Sequence, residues 1–254
     1  MRISIVLSLL VAMAGAEVIS AGESKLDMNA LELIGERFQF FSIERDASGN
    51  AIHFVYADEH QHVHVFAIEE GKAVRKWETT TLGSRVSGLV VTDLDGNGTT
   101  DIIITTRAGR IIVYEMGTFE LTWENLQDPF VDITCLAVAN IDRDPQQELI
   151  FLAAKKMYFY DGKRKNREWE SQRSFEADIM LLGNVDNDEQ LEIILNTGIV
   201  FDSRFYIVEL LYEPGFGDRI RLLDLNGDGI PEVVGERTDR TISVFDIYAE
   251  REMW

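Results

Sequence analysis

Apolar residues in this chain come in short consecutive runs, separated by acidic and glycine-containing turns. Gly88-Leu89-Val90-Val91, Ile102-Ile103-Ile104-Thr105-Thr106, Ile111-Ile112-Val113-Tyr114 and Leu121-Thr122-Trp123 follow one another between residues 88 and 123. Short β-branched runs bounded by turn residues are strand signals. Runs that are apolar on every residue, not on every second one, predict strands covered on both faces. The order returns in Glu148–Leu152 with Met157–Tyr160, in Glu192–Leu195 with Phe205–Val208, and in Glu232–Val234 with Ile242–Phe245.

Two independent markers set the period. Acidic loops open at Asp93, Asn140, Asn184 and Asp224, in strides of 47, 44 and 40 residues. Oxygen-bearing side chains occupy relative positions 1, 3, 5 and 9 of each loop. They are Asp93, Asp95, Asn97 and Asp101; Asn140, Asp142, Asp144 and Glu148; Asn184, Asp186, Asp188 and Glu192; and Asp224, Asn226, Asp228 and Glu232. An eroded copy starts at Asp46, with Ser48 and Asn50 in place but Phe54 at position 9. The second marker is an aromatic residue before an acid: Trp77-Glu78, Trp123-Glu124, Trp169-Glu170, Tyr212-Glu213 and the terminal Trp254, spaced by 46, 46, 43 and 42. Four short strands repeating at this length predict an all-β fold, a β-propeller of five four-stranded blades over residues 38–254. Residues 17–37 stand outside the pattern, as a closing strand or a short amphipathic helix.

A hard cation such as Ca²⁺ takes six to eight oxygens, and alternating carboxylates on a curled loop can supply them. The stretches at 93–102 and 224–234 resemble the calcium loops of FG-GAP/VCBS repeats, found in integrin-alpha-like propellers and in secreted propeller lectins. The loops at 140 and 184 depart by carrying Pro145 and Glu189 where glycine is usual. The resemblance implies Ca²⁺ as the bound cofactor, a loop joining the first two strands of a blade, and ligation through positions 1, 3, 5 and 9. It also implies a role in binding or cell adhesion. An EF-hand is excluded, because it needs glutamate at position 12 between helices; that position is Ile104 in one loop and Gly235 in another, and the flanks read as strands. The competing account of the loops is that acidic turns merely connect strands and solvate the surface.

The net charge of −20 disfavours nucleic acid and anionic membrane surfaces as partners. Residues 1–16 read as a signal peptide, with Arg2, an apolar run from Ile3 to Ala12, and Ala14-Gly15-Ala16 as the cleavage pattern. The expectation is an exported chain, periplasmic or extracellular. Cleavage before Glu17 takes the charge to about −21, since Arg2 leaves and no acid does. Cys135, the single cysteine, sits in an apolar run and reads as a small buried hydrophobe that can form no intrachain disulfide.

Catalytic signals are sparse. Neither a Gly-x-Ser-x-Gly elbow nor a phosphate loop occurs, and all four histidines fall between His53 and His64. Alternation of His60, His62 and His64 is open to two readings: a transition-metal face on one strand, or an exposed turn between strands two and three. The expected function is a calcium-stabilised module that binds a protein or glycan on the rim opposite the acidic loops, with Arg85, Arg107, Arg110, Arg204 and Arg219 as candidate contacts there. The alternatives are a polysaccharide-cleaving propeller enzyme, whose two acids leave no contiguous motif, and a structural subunit of an extracytoplasmic assembly.

Overall fold

The computed structural model describes residues 40–253, apart from Ala47 and Arg143. The expected signal peptide, the segment 17–37 and Trp254 lie outside the described residues. Twenty strands form five antiparallel sheets of four, each in simple chain order, set around a ring as a five-bladed β-propeller. Among the described residues there is no helix.

The first blade comprises β1 (Phe40–Arg45), β2 (Ala51–Ala57), β3 (Val63–Glu69) and β4 (Lys72–Glu78). The second comprises β5 (Val86–Thr92), β6 (Asp101–Thr106), β7 (Ile111–Glu115) and β8 (Leu121–Glu124). The third comprises β9 (Ile133–Ala139), β10 (Glu148–Ala153), β11 (Lys156–Asp161) and β12 (Arg167–Glu170). The fourth comprises β13 (Met180–Gly183), β14 (Glu192–Leu195), β15 (Ile199–Asp202) and β16 (Ile207–Leu211). The fifth comprises β17 (Arg219–Leu223), β18 (Glu232–Glu236), β19 (Ile242–Asp246) and β20 (Arg251–Glu252).

The consecutive apolar runs are explained by the packing. Ile102 and Ile104 of β6 join Val55, Val63 and Val65 of the first blade, whereas Ile103 between them joins Ile133, Leu149 and Phe151 of the third. Ile150 and Leu152 of β10 likewise face Ile193 and Leu195 of the fourth blade, and Ile194 turns the other way to Val233 and Phe245 of the fifth. Successive side chains of a strand point to opposite faces. Both faces of an inner blade are covered, so the middle of its second strand is apolar on consecutive residues, Ile102–Ile104 in β6 and Leu149–Ala153 in β10.

Two assignments change. Phe205 and Tyr206 are not strand residues: the third strand of the fourth blade is Ile199–Asp202, and the turn after it runs through Tyr206, whose φ is 57°. Register also moves the fourth aromatic marker. Trp123 pairs with Val113 and Trp169 with Phe159, and the matching pair in the fourth blade is Leu210 with Val200, so Tyr212 lies beyond the end of β16.

The outer strand of each of the first four blades contains a β-bulge, which register identifies at Lys76, Thr122, Glu168 and Glu209. A bulge re-aims the side chain of the extra residue.

The blades interlock through tight turns. Gly109 closes the β6–β7 hairpin at φ 87°, and a Cβ there would stand 1.5 Å from the Phe130 carbonyl oxygen. At Gly162, in the β11–β12 hairpin, a Cβ would come within 2.5 Å of the Leu94 carbonyl oxygen of the preceding blade. That hairpin therefore lies directly against the Asp93 loop.

Candidate metal centre

All five acidic loops join the first and second strands of their blades, so they share one rim. Their 1-3-5-9 spacing has a structural role that needs no ion. The position-9 carboxylate is buried in four loops, at Asp101, Glu148, Glu192 and Glu232. Each accepts a hydrogen bond from the amide at position 2: Leu94 to Asp101 at 3.1 Å, Ile141 to Glu148 at 2.7 Å, Val185 to Glu192 at 3.0 Å and Leu225 to Glu232 at 2.7 Å. Position 3 accepts from the amide at position 5, as Asp95 does from Asn97 at 3.1 Å and Asn226 from Asp228 at 2.8 Å. Position 5 accepts from position 7, as Asn97 does from Thr99 at 2.6 Å. These are successive Asx turns, in which a short polar side chain caps its own backbone two residues on. The first blade has lost position 9, and its Asp46 caps the turn by accepting from the amides of Ser48 and Asn50 at 2.8 and 2.9 Å.

Glycine decides what position 1 does. Asp93 accepts from the amide of Gly98 at 2.9 Å and Asp224 from that of Gly229 at 3.0 Å, and both glycines have φ near 90°. Pro145 occupies the corresponding position in the third blade and has no amide hydrogen to offer. There Asn140 donates its side-chain amide to the Asp144 carbonyl, as Asn184 does to Asp188 in the fourth blade.

Among the described residues three carboxylate clusters result, each with one ligand oxygen per residue within 4.8 Å of the others. Asp93, Asp95 and Asp101 gather in the second blade, Asp142, Glu148 and Glu168 in the third, and Asp186, Glu192 and Glu209 in the fourth. Glu168 and Glu209 escaped the motif because they are not on the loop. They are the bulged residues of the outer strands, and only strand register shows that the bulge turns them toward the cluster. Asn140, Asp144, Asn184 and Asp188 are loop residues that these two clusters leave to local hydrogen bonds. The loop at Asp224, with a motif as regular as any, does not gather three carboxylates: Asn226 donates its side-chain amide to Glu232 at 2.7 Å and to Asp228 at 2.9 Å.

The clusters have the electrostatics of a cation site. Burial, and then the charges of Asp142, Asp144 and Glu168, push the Glu148 carboxyl up to about 8 against the opposing hydrogen bond from Ile141. Glu148 Oε1 is buried without a hydrogen-bond partner. Glu192 is pushed up to about 7 and Glu209 to about 6, in both cases by burial first and by neighbouring acids after it. Asp101 is raised by burial and by Asp95 and Asp93, but the Asp93 cluster also has a cation of the protein's own. Half-buried Lys165, from the β11–β12 hairpin, is lowered by burial against the upward pull of Asp101 and Asp95. The residues present thus fit a divalent cation in the third and fourth blades, where hard oxygen donors converge and one buried oxygen lacks a partner.

The other rim carries the second-to-third-strand turns and the connections between blades. Most of the arginines expected to contact a partner there are engaged with the protein itself. Arg107 binds Asp132 at 3.1 Å and Asp178 at 2.7 Å, and Arg110 binds Glu124 and the Leu82 carbonyl, the latter at 3.0 Å. Arg219 lies 3.4 Å from Glu236. Arg204, expected on this rim, sits instead in the β15–β16 turn on the acidic rim, because Ile199–Asp202 is a strand. Between the fourth and fifth blades this rim opens a cleft of about 490 Å³, lined by Asn196, Thr197, Glu213, Asp218, Arg237 and Asp239 among others. Arg237 donates to Tyr212 Oη at 2.9 Å and to Glu252 at 2.6 Å, while its Nε is buried without a hydrogen-bond partner.

Cys135 is buried and burial drives its thiol up to about 12, so it is a packing residue. His60 and His62 lie in the β2–β3 turn and His64 on β3, so the three do not share one strand face.

No protein-family model and no curated protein sequence matches this chain. Solved structures do, at low identity. The crystal structure of the V. cholerae biofilm matrix protein Bap1 aligns with a TM-score of 0.57 and 15% identity, over 86% of this chain and 39% of that one. A chain from the mercury-soaked crystal of BBS1N in complex with ARL6DN aligns with a TM-score of 0.57 and 12% identity, over 80% of this chain and 60% of that one. This chain therefore spans less than two thirds of each. The likeness is one of fold: a β-propeller built of repeats.

Proposed function

We propose that this protein is a calcium-stabilised binding module of the FG-GAP/VCBS type, exported from the cell, which engages a protein or glycan on the rim opposite its acidic loops. The observation that carries the reading is the pair of carboxylate clusters in the third and fourth blades, above all the buried Glu148 oxygen that no protein donor satisfies. A buried polar atom left without a partner costs about 1–3 kcal/mol, and ligation by a cation removes that cost together with the repulsion among the acids. The residues that would hold Ca²⁺ are Asp142, Glu148 and Glu168, and Asp186, Glu192 and Glu209. The Asp93 cluster is a weaker candidate because Lys165 already supplies positive charge.

Ions placed there pin the first, second and outer strands of a blade on one rim. The opposite rim is then free to vary, and its polar cleft between the fourth and fifth blades is lined by carboxylates, amides and Arg237. Hydroxyl groups of a glycan or the polar face of a protein suit that lining. A likeness to Bap1, which is a biofilm matrix protein, agrees with an extracellular binding role but supplies no ligand.

The test has two arms. Calcium should raise the thermal midpoint over that in EGTA, and an unchanged midpoint refutes the metal reading. A glycan array and a pulldown with wild-type and Asp218→Ala protein should then show a ligand lost in the variant; binding that the substitution leaves untouched removes the cleft from the account.

A further inference from the structure

The acidic loops lie at one end of the first blade, and a different constellation lies at the other. The β2–β3 turn brings Asp58 and His62 beside His64, with one ligand atom of each within 4.8 Å of the others. Asp58 Oδ2 is 2.9 Å from His64 Nε2 and 3.6 Å from His62 Nδ1. Ligand atoms of a tetrahedral zinc ion at 2.0–2.1 Å are about 3.3 Å from one another, and the two observed separations straddle that value.

The donors are also held in place for the task. Asp58 Oδ1 accepts hydrogen bonds from the amides of His60 and His62 at 2.9 and 2.8 Å, which fixes the carboxylate and leaves Oδ2 to the imidazoles. His64 is buried and stacks on Tyr56 at 4.8 Å between ring centroids, so its ring plane is set. Its second nitrogen, Nδ1, faces Glu78 Oε2 at 3.4 Å and makes no hydrogen bond closer than that. A carboxylate behind the distal nitrogen is the usual support of a metal-bound histidine, since it fixes the tautomer and raises ligand basicity. His62 is part-exposed, at 27% of its side chain, so the site opens to solvent on that side.

We propose that Asp58, His62 and His64 form a binding site for a divalent transition ion of the zinc class, separate from the acidic loops and on the opposite rim. Two imidazoles and one carboxylate select such an ion over calcium, which takes oxygen donors. The fourth position faces water, where a side chain of a bound partner could complete the coordination.

The experiment uses the tag-free chain saturated with calcium, titrated with Zn²⁺ by calorimetry and with Co²⁺ by visible absorption. Wild-type protein should bind one equivalent of zinc and give the intense spectrum of four-coordinate Co²⁺. His62→Ala should weaken zinc binding at least as much as loss of a supporting partner does, about 10–100-fold. Since His62 is part-exposed, that variant keeps the fold, which circular dichroism checks. His64→Gln should abolish the cobalt spectrum, and His53→Ala, whose imidazole pairs with Glu44 at 2.6 Å elsewhere on β2, should leave zinc affinity unchanged. Absence of zinc binding by wild-type protein, unchanged affinity in His62→Ala, or loss of the event in Glu148→Gln instead would each overturn the proposal.

Discussion

Glu168→Gln should change thermal stability in opposite directions with and without calcium. The substitution keeps side-chain shape and removes one charge from the third-blade cluster. Oxygens of Asp142, Glu148 and Glu168 lie within 4.8 Å of one another. Two charges so close repel by about 1 kcal/mol in water and about 3–4 kcal/mol at an effective dielectric of 20. Glu168 is exposed, so the lower figure governs its contacts. With Glu148 pushed up to about 8 and therefore protonated at neutral pH, the repulsion relieved in the metal-free protein comes from Asp142 first, then from Asp161 and Asp144. The expected gain in EGTA is about 1 kcal/mol, or a midpoint about 2–4 °C higher for a domain of this size. In saturating calcium the variant lacks a ligand. A hundredfold loss of affinity removes about 2.7 kcal/mol of the stabilisation that the ion supplies; less the gain of about 1 kcal/mol in the metal-free state, the net loss is about 1.7 kcal/mol, so the midpoint falls by about 3–7 °C. Differential scanning fluorimetry in EGTA and in millimolar calcium reads both numbers. A shift of the same sign in both buffers would refute the reasoning, because it would mean that Glu168 acts through packing and not through charge shared with an ion.

Two further predictions concern the buried carboxylates and the close-packed turns. In EGTA, stability should fall as pH rises from about 5 to 7, because native Glu148 and Glu192, raised to about 8 and about 7, hold protons that the unfolded chain releases near 4.5. Each group contributes a slope of about 1.4 kcal/mol per pH unit in that window, urea midpoints measure it, and a profile that rises instead contradicts the burial argument. Gly109→Ala should cost more than about 3 kcal/mol, because its Cβ meets the Phe130 carbonyl oxygen at 1.5 Å, whereas Gly98→Ala, at a similar φ but in open space, should cost about 1 kcal/mol; equal losses in urea titration would remove the clash as the cause.

The division between what the sequence and the folded chain supply is physical. Period, strand order and loop placement were legible because each is a local property. A blade is built from neighbours in sequence, so its apolar runs and Asx turns recur at fixed spacing. Ile102-Ile103-Ile104 even announces that both faces of β6 are covered. The position-9 acids were legible too, since each binds an amide seven residues before it. Which loops gather carboxylates was not. Glu168 and Glu209 come from outer strands, turned inward by bulges that only pairing register reveals, and Lys165 reaches the Asp93 cluster from the next blade. The histidines show the same limit: their spacing left a strand face and a turn both open, the turn is where His60 and His62 lie, and the carboxylate of Asp58 that joins His62 and His64 had no place in either reading. Spacing along the chain determined the repeat; contacts across strands and between blades decided where its charges meet, because a bulge or a neighbouring blade can re-aim a side chain without leaving a mark in the local pattern.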